Sequence, residues 1–192
     1  GLDHRIGGKF LHAGPGFGGS CFPKDLAALV QTGERVGYPF QIAGAAAKVN
    51  YEQHLRMVTK IREACGGLAG KTLGVLGLSF KPNTNDMREA PSLTILKELM
   101  KEGATVRAYD PVSMEEATKL IPGMIPCKEA YDVAENADGL IIMTEWNQFR
   151  NLDFDRLKQT MRQRLLLDLR NVYDSDRVTG HGFRHVSVGR PT

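Results

Sequence analysis

Residues 14–25, Gly-Pro-Gly-Phe-Gly-Gly-Ser-Cys-Phe-Pro-Lys-Asp, hold the densest chemistry in the sequence. Gly14, Gly16, Gly18 and Gly19 permit tight backbone turns and close approach by a ligand. Cys21 is a candidate nucleophile. Pro23 suits the first turn of a helix, where its missing N–H is not needed. On such a helix Asp25, four residues after Cys21, shares a face with it. Lys24 adds a positive charge beside them. A helix starting here sets its positive end next to the thiol, a setting that suits thiol nucleophiles.

The elements that must position this segment follow from periodicity. Leu26, Leu29 and Val30 recur at helical spacing until Gly33, Gly37, Tyr38 and Pro39 interrupt them. A longer helical stretch runs from about Gln41 to Ala64, with Ile42, Ala45, Ala46, Val49, Leu55, Val58 and Ile61 on one broad apolar side. Gly66, Gly67 and Gly70 end it. Such a side either packs into a core or forms a dimer, and the pattern leaves both open.

From Lys71 the pattern changes. Strands are expected over 72–78, 105–109, 139–144, 165–168 and 183–188. Helices are expected over 92–102, over 131–136 and from Asp153 or Asp155 to Arg162. A further helix starts at Ser113, with Glu116 three residues on as a capping box. Strands alternating with helices predict an α/β fold, a doubly wound, Rossmann-like parallel sheet behind a long central helix. The chain is expected to divide into 1–70, the thiol loop and central helices, and 71–192, the sheet domain.

Composition narrows the function classes. A 42% apolar fraction over 192 residues supports a folded core. The net charge is only +3, from 25 basic and 22 acidic residues, which calls for neither nucleic acid nor an anionic membrane. No apolar run reaches the ~20 residues of a membrane span. The opening Gly-Leu-Asp-His-Arg is not a secretory signal. It contains no Met, so the chain is expected to be part of a longer protein. Cys21, Cys65 and Cys127 leave an odd thiol under any pairing, and none has metal-ligand spacing, so no metal is expected. Reduced thiols in the cytoplasm are the simplest reading. Cys65 and Cys127 read as small buried hydrophobes.

Gly14, Gly16 and Gly19 formally fit G-x-G-x-x-G. That motif needs a strand before it and a second strand carrying an acidic residue ~20 positions later. Lys9-Phe-Leu-His-Ala is a poor strand, and the later region is helical, so the dinucleotide label is rejected. Gly74-Val-Leu-Gly-Leu lacks a third glycine and is followed by the bulky Lys81-Pro-Asn-Thr. Lys81 and Arg88 either meet ligand phosphates or lie in a solvated loop.

Gly-Phe-Gly-Gly-Ser-Cys-Phe-Pro-Lys-Asp resembles the nucleophile motif of the UDP-glucose/GDP-mannose dehydrogenase family, and within it the UDP-glucose 6-dehydrogenases. Arg5-Ile-Gly-Gly-Lys-Phe-Leu-His-Ala, Gly77-Leu-Ser-Phe-Lys-Pro-Asn-Thr-Asn-Asp-Met-Arg-Glu, Tyr109-Asp-Pro, Thr144-Glu-Trp and Asp168-Leu-Arg-Asn match the family in order. The resemblance spans nearly the whole chain. It implies a thiol loop, a dimer-forming central helix and a domain for the sugar nucleotide, with the family's N-terminal NAD-binding domain absent.

The resemblance also implies a reaction. UDP-glucose would be oxidised to UDP-glucuronate with two NAD+, through a thiohemiacetal and a thioester on Cys21, with Asp25 assisting a water or protonated partner. Covalent attachment divides a hard oxidation into easier steps. Arg5, Phe10, His12, Gly14, Phe17, Gly18, Phe80, Lys81 and Arg170 are implied to bind substrate, Arg5 in a neighbouring subunit. His12 also reads as an ordinary surface histidine. Lys24 and Arg88 are implied to face NAD, while Asp86 and Glu89 fix their loop. The isolated chain is expected to bind UDP-sugar without catalysis. GDP-mannose oxidation and a non-catalytic UDP-binding or dimerisation module are the alternatives.

Overall fold

The computed structural model describes residues 1–8 and 10–190. Lys9, part of the Arg5–Ala13 motif, lies outside the described residues. Residues 10–13 carry no strand.

The first two elements are helices, α1 (Phe22–Arg35) and α2 (Gln41–Cys65). Pro23 stands in the first turn of α1, as its fixed φ favours. Gly66 closes α2 in the left-handed conformation, φ +67°, its N–H donating to the Arg62 and Glu63 carbonyls. The apolar side expected along α2 is buried only in its second half, through Met57, Val58, Ile61, Ala64 and Cys65. Ile42, Val49 and Leu55 are exposed.

The remaining elements are β1 (Thr72–Leu76), α3 (Pro91–Lys101), β2 (Thr105–Tyr109), α4 (Met114–Leu120), β3 (Ile125–Pro126), β4 (Gly139–Ile142), α5 (Phe154–Thr160), β5 (Leu165–Asp168), α6 (Ser175–Gly180) and β6 (Arg184–Ser187). The six strands are all parallel, in the order β3-β2-β1-β4-β5-β6. The chain runs outward from β1 to β3, then returns to set β4 against β1. This reversal opens a crevice at the carboxyl ends of β1 and β4, where open α/β sheets take ligands.

Side chains alternate along the strands and feed two apolar layers. Leu73, Val75, Val106 and Ile141 pack with Met57, Val58 and Ile61 of α2 and with Ile95, Leu96 and Leu99 of α3. Leu76, Leu140, Ile142 and Leu166 face the opposite way, onto Trp146, Phe149, Phe154 and Leu157. Half of α2 is therefore a wall of the sheet core. Among the described residues, no helix is long and apolar enough to cross a membrane.

Several boundaries differ from the sequence pattern for local reasons. β1 stops at Leu76 because Gly77, at φ +87°, turns the chain. Asp153, of the two candidates, caps α5 by accepting from the Asp155 and Arg156 N–H groups, and the helix ends at Thr160. The Ser113–Glu116 capping box does not form: the Ser113 side chain makes no cap hydrogen bond. Asp110 instead accepts from the Val112 and Ser113 N–H groups just ahead of the helix. The expected 131–136 helix is one 3-10 turn, Asp132–Ala134. The two-residue β3, α6 and a 3-10 turn at Asn147–Asn151 are too short for periodicity to reveal.

Candidate functional site

Cys21 is the residue from which α1 begins, and it is exposed. The Asp25 N–H donates to the Cys21 carbonyl at 2.9 Å, closing the first helical turn. Cys21 and Asp25 therefore stand one turn apart at the positive end of a 14-residue helix. The Ser20 hydroxyl lies 3.7 Å from the Cys21 sulfur. Asp25 is itself exposed and paired with Lys24, Nζ to Oδ1 at 3.2 Å. Phe17 packs its ring edge-to-face on Phe22, with centroids 4.6 Å apart.

The glycines before Cys21 bring the loop onto the crevice of the sheet. The Glu89 carbonyl oxygen fills the space where a Cβ on residue 18 would stand. A Cβ on Gly19 would fall 2.8 Å from the Phe80 ring, and one on Gly14 would meet the Arg170 guanidinium at 3.1 Å. The Gly19 N–H donates to the Arg88 carbonyl at 2.9 Å. Close backbone approach is thus what these positions demand, and it joins the thiol loop to residues 80–90.

From the other side, α2 grips the same loop. Asn50 accepts from the Phe17 N–H at 2.8 Å and donates to the Phe17 carbonyl at 3.0 Å. Gln53 donates to the Gly14 carbonyl at 2.9 Å. His54, 7% exposed, lies against Gly16, with neither ring nitrogen hydrogen-bonded. Burial pushes its imidazole below the ordinary value.

A cleft of about 470 Å3 opens between the thiol loop with the start of α1 and residues 88–89, lined by Gly19, Ser20, Pro23, Lys24, Ala27, Arg88 and Glu89. Asp86 holds the Arg88 guanidinium in a fork, with both N···O distances 2.9 Å. That hydrogen bonding keeps Asp86 below the usual carboxylate range and Arg88 above its ordinary value. Arg88 and Lys24 give the cleft two cations, a chemistry suited to phosphate.

Arg170 follows β5 and crosses to the neighbouring strand ends. It donates from Nε to the Met143 carbonyl at 3.0 Å and from Nη2 to the Phe80 carbonyl at 3.2 Å, and its Nε lies 3.1 Å from a Glu145 oxygen. Burial pushes this guanidinium down, against the pull of Glu145. Much of its donor capacity is spent bracing the crevice, which leaves Nη1 facing Gly14. Lys81 is exposed, its Nζ 5.2 Å from the centroid of the Phe80 ring.

Asp110 is spent on structure. It stands after β2, where dinucleotide-binding folds present an acidic residue to a ribose. Here it is 1% exposed and accepts from the Leu78 and Ser79 N–H groups, the Ser79 hydroxyl and Trp146 Nε1 at 2.8–3.2 Å. Burial works against its charge, but the hydrogen bonds from Leu78, Val112 and Ser79 win and hold it below the usual range. Thr144 adds a bond to the Ser79 carbonyl at 2.6 Å, so the Thr144-Glu-Trp motif is a set of braces.

The structure thus sets Gly14 against Arg170, Gly18 against Glu89 and Gly19 against Phe80, and lines one cleft with Lys24 and Arg88, while Cys21 and Asp25 stand exposed on α1 beside it. It leaves Arg5, Phe10 and His12 exposed. Arg5 forks onto Asp3, with Nη2 to Oδ2 at 2.6 Å. Asn50, Gln53 and His54 hold the loop and were not singled out by the sequence, while Asp110 and Glu145 lie in its matching motifs without an assigned role. A signal existed for three: Asn50, Gln53 and His54 form a polar patch at helical spacing that continues into the buried Met57–Ile61 stripe.

An exposed thiol thus stands at a helix start, on a loop packed against residues 80–90 beside a six-stranded parallel sheet. The family models agree. The UDP-binding domain of the UDP-glucose/GDP-mannose dehydrogenase family matches residues 74–175, and the family's central domain matches residues 1–52. The chain belongs to the UDP-glucose/GDP-mannose dehydrogenase family. It is 52% identical over its full length to a UDP-glucose 6-dehydrogenase of Rhizobium meliloti, covering 44% of that relative. It is 41% identical to UDP-glucose 6-dehydrogenase TuaD of Bacillus subtilis, covering 42% of it. A solved UDP-glucose dehydrogenase from Pyrobaculum islandicum superposes with a TM-score of 0.82 at 36% identity, over 98% of this chain and 41% of that one. The chain therefore spans less than half the length of these relatives.

Proposed function

We propose that this chain is the thiol-bearing, sugar-nucleotide-binding part of an NAD-dependent UDP-glucose 6-dehydrogenase in the cytoplasm. The observation that carries the reading is Cys21 itself, exposed at the start of α1 on a loop that packs against a domain matching a UDP-binding family model. UDP-glucose is favoured over GDP-mannose because relatives at 52% and 41% identity carry the former name.

The chemistry follows from the residues. Loss of a hydride from C6 and a proton from its hydroxyl turns the glucosyl alcohol into an aldehyde, to which the Cys21 sulfur adds, forming a thiohemiacetal. Loss of a second hydride from that carbon, with the hydroxyl proton, gives a thioester. Water attacks the thioester carbonyl, the thiolate leaves, and UDP-glucuronate is released. Asp25, one turn from Cys21, accepts the proton of the attacking water. NAD, when bound, supplies the hydride acceptor for both oxidations. The two cations of the cleft, Lys24 and Arg88, fit its phosphates, whereas Asp110 is committed to hydrogen bonds within the sheet domain.

For the substrate, Gly14, Phe17 and Gly18 give the loop wall, and Phe80, Lys81 and Arg170 the sheet wall. Arg5, Phe10 and His12, exposed in this chain, fit a site completed by a second copy. The exposed apolar residues Ile42, Val49 and Leu55 on α2 support a homodimer through that helix. We divide the chain near residue 70, with the second half of α2 packed into the sheet core. Calorimetry with UDP, CDP and GDP tests the reading. This chain alone should bind UDP most tightly and form no NADH from UDP-glucose and NAD. Equal or absent nucleotide binding would refute the substrate class.

A further inference from the structure

Asn50 makes the only pair of hydrogen bonds, among the described residues, from one side chain to both backbone groups of a single residue in the thiol loop. The pairing copies the donor-acceptor pattern of an adjacent strand, and it bridges a sequence gap of 33 residues. A primary amide is the side chain that offers an acceptor and a donor side by side. The residue it fixes is Phe17. The Phe17 ring lies edge-to-face on Phe22, a geometry that aromatic quadrupoles favour. Phe22 is the first residue of α1, directly after Cys21.

We propose that Asn50 is a positioning residue for the Cys21 thiol, acting through Phe17 and Phe22. The inference rests on Cys21 being the working nucleophile. Gln53 on the Gly14 carbonyl and His54 against Gly16 hold the same loop but lie further from the thiol along the chain. Without Asn50, Phe17 loses its backbone anchor, Phe22 loses its fixed neighbour, and the first turn of α1 frays at the Asp25 N–H bond to Cys21. The sheet core is untouched, because the core residues of α2 begin beyond Asn50 at Met57.

The test uses Asn50→Ala and Asn50→Asp. In this chain, Asn50→Ala should speed amide exchange at Phe17 by roughly ten- to a hundredfold, as two hydrogen bonds are lost. Exchange at Asp25, eight residues beyond Phe17 along the chain, should also rise. In the enzyme carrying its cofactor domain, kcat should fall about ten- to a hundredfold with KM for UDP-glucose nearly unchanged, as expected when a reacting group is misplaced. Asn50→Asp keeps the acceptor for the Phe17 N–H and should fall between the two. Faster exchange at Phe17 with Asp25 exchange and kcat unchanged would overturn the proposal, as would a lower melting temperature with kcat intact. If Cys21→Ser retained turnover, the nucleophile reading would fail instead, and coupled exchange at Phe17 and Asp25 would still read the Asn50 link.

Discussion

The carbonyl oxygen of Glu89 occupies the space into which a side chain on Gly18 would project. Glu89 itself sits at φ +50°, a conformation rare for a non-glycine residue, so this carbonyl is aimed by a constrained turn. The obstacle is backbone and cannot swing aside. Gly18→Ala should therefore push the thiol loop off residues 80–90, costing roughly 1–3 kcal/mol and weakening UDP binding. Gly44→Ala, where no atom lies within 4 Å of an added Cβ inside α2, is the contrast. It should stabilise the chain by about 0.5–1 kcal/mol. Urea unfolding and UDP titration of both variants check the pair.

His54 and stability should be linked through pH. Its buried imidazole has a pKa below the ordinary value, so the unfolded chain binds its proton more readily than the folded one. Stability is then full above the unfolded pKa of ~6.5 and is lost as pH falls from there through the lower folded value. Replacing His54 with Leu should flatten that window. Urea midpoints measured between about pH 7 and pH 5 read it.

Asp110 governs a more acid window. Its folded pKa lies below the usual carboxylate range, so its contribution is present above the unfolded value of ~3.9 and is lost as pH falls through the folded one. Asp110→Ala strands the Leu78, Ser79, Val112 and Ser113 N–H groups together with Trp146 Nε1, and should cost at least ~3 kcal/mol at neutral pH. Thermal melts of the variant, together with the acid transition of the parent chain, check both parts.

The exposed apolar residues of the first half of α2 give a prediction about assembly. Sedimentation of the chain should show a dimer, and Ile42→Asp with Val49→Asp should dissociate it while leaving the sheet core folded. A monomer in the parent chain would remove the helix-mediated dimer from the account.

Much of this architecture is legible in the residue pattern because its causes are local. The strands β1, β4 and β5 are short apolar runs bounded by glycine or aspartate, and α1 announces itself through Pro23 and the Leu26–Val30 spacing. The thiol at the helix start follows from the same few residues. What the pattern does not carry are contacts between distant segments. The Asn50–Phe17 pairing, the Glu89 carbonyl over Gly18 and the six donors around Asp110 exist only once the chain has folded back on itself. For that reason the glycines read as room for a ligand, while the structure uses Gly18 and Gly19 for room against residues 80–90. The broad apolar side of α2 was equally silent about which half would be covered.

The most direct test of the central claim is turnover by Cys21→Ser in the enzyme that carries its cofactor domain. NADH formation from UDP-glucose should disappear while UDP affinity stays within about twofold of the parent, since sulfur is lost and the crevice keeps its walls. Normal turnover in that variant would contradict the account.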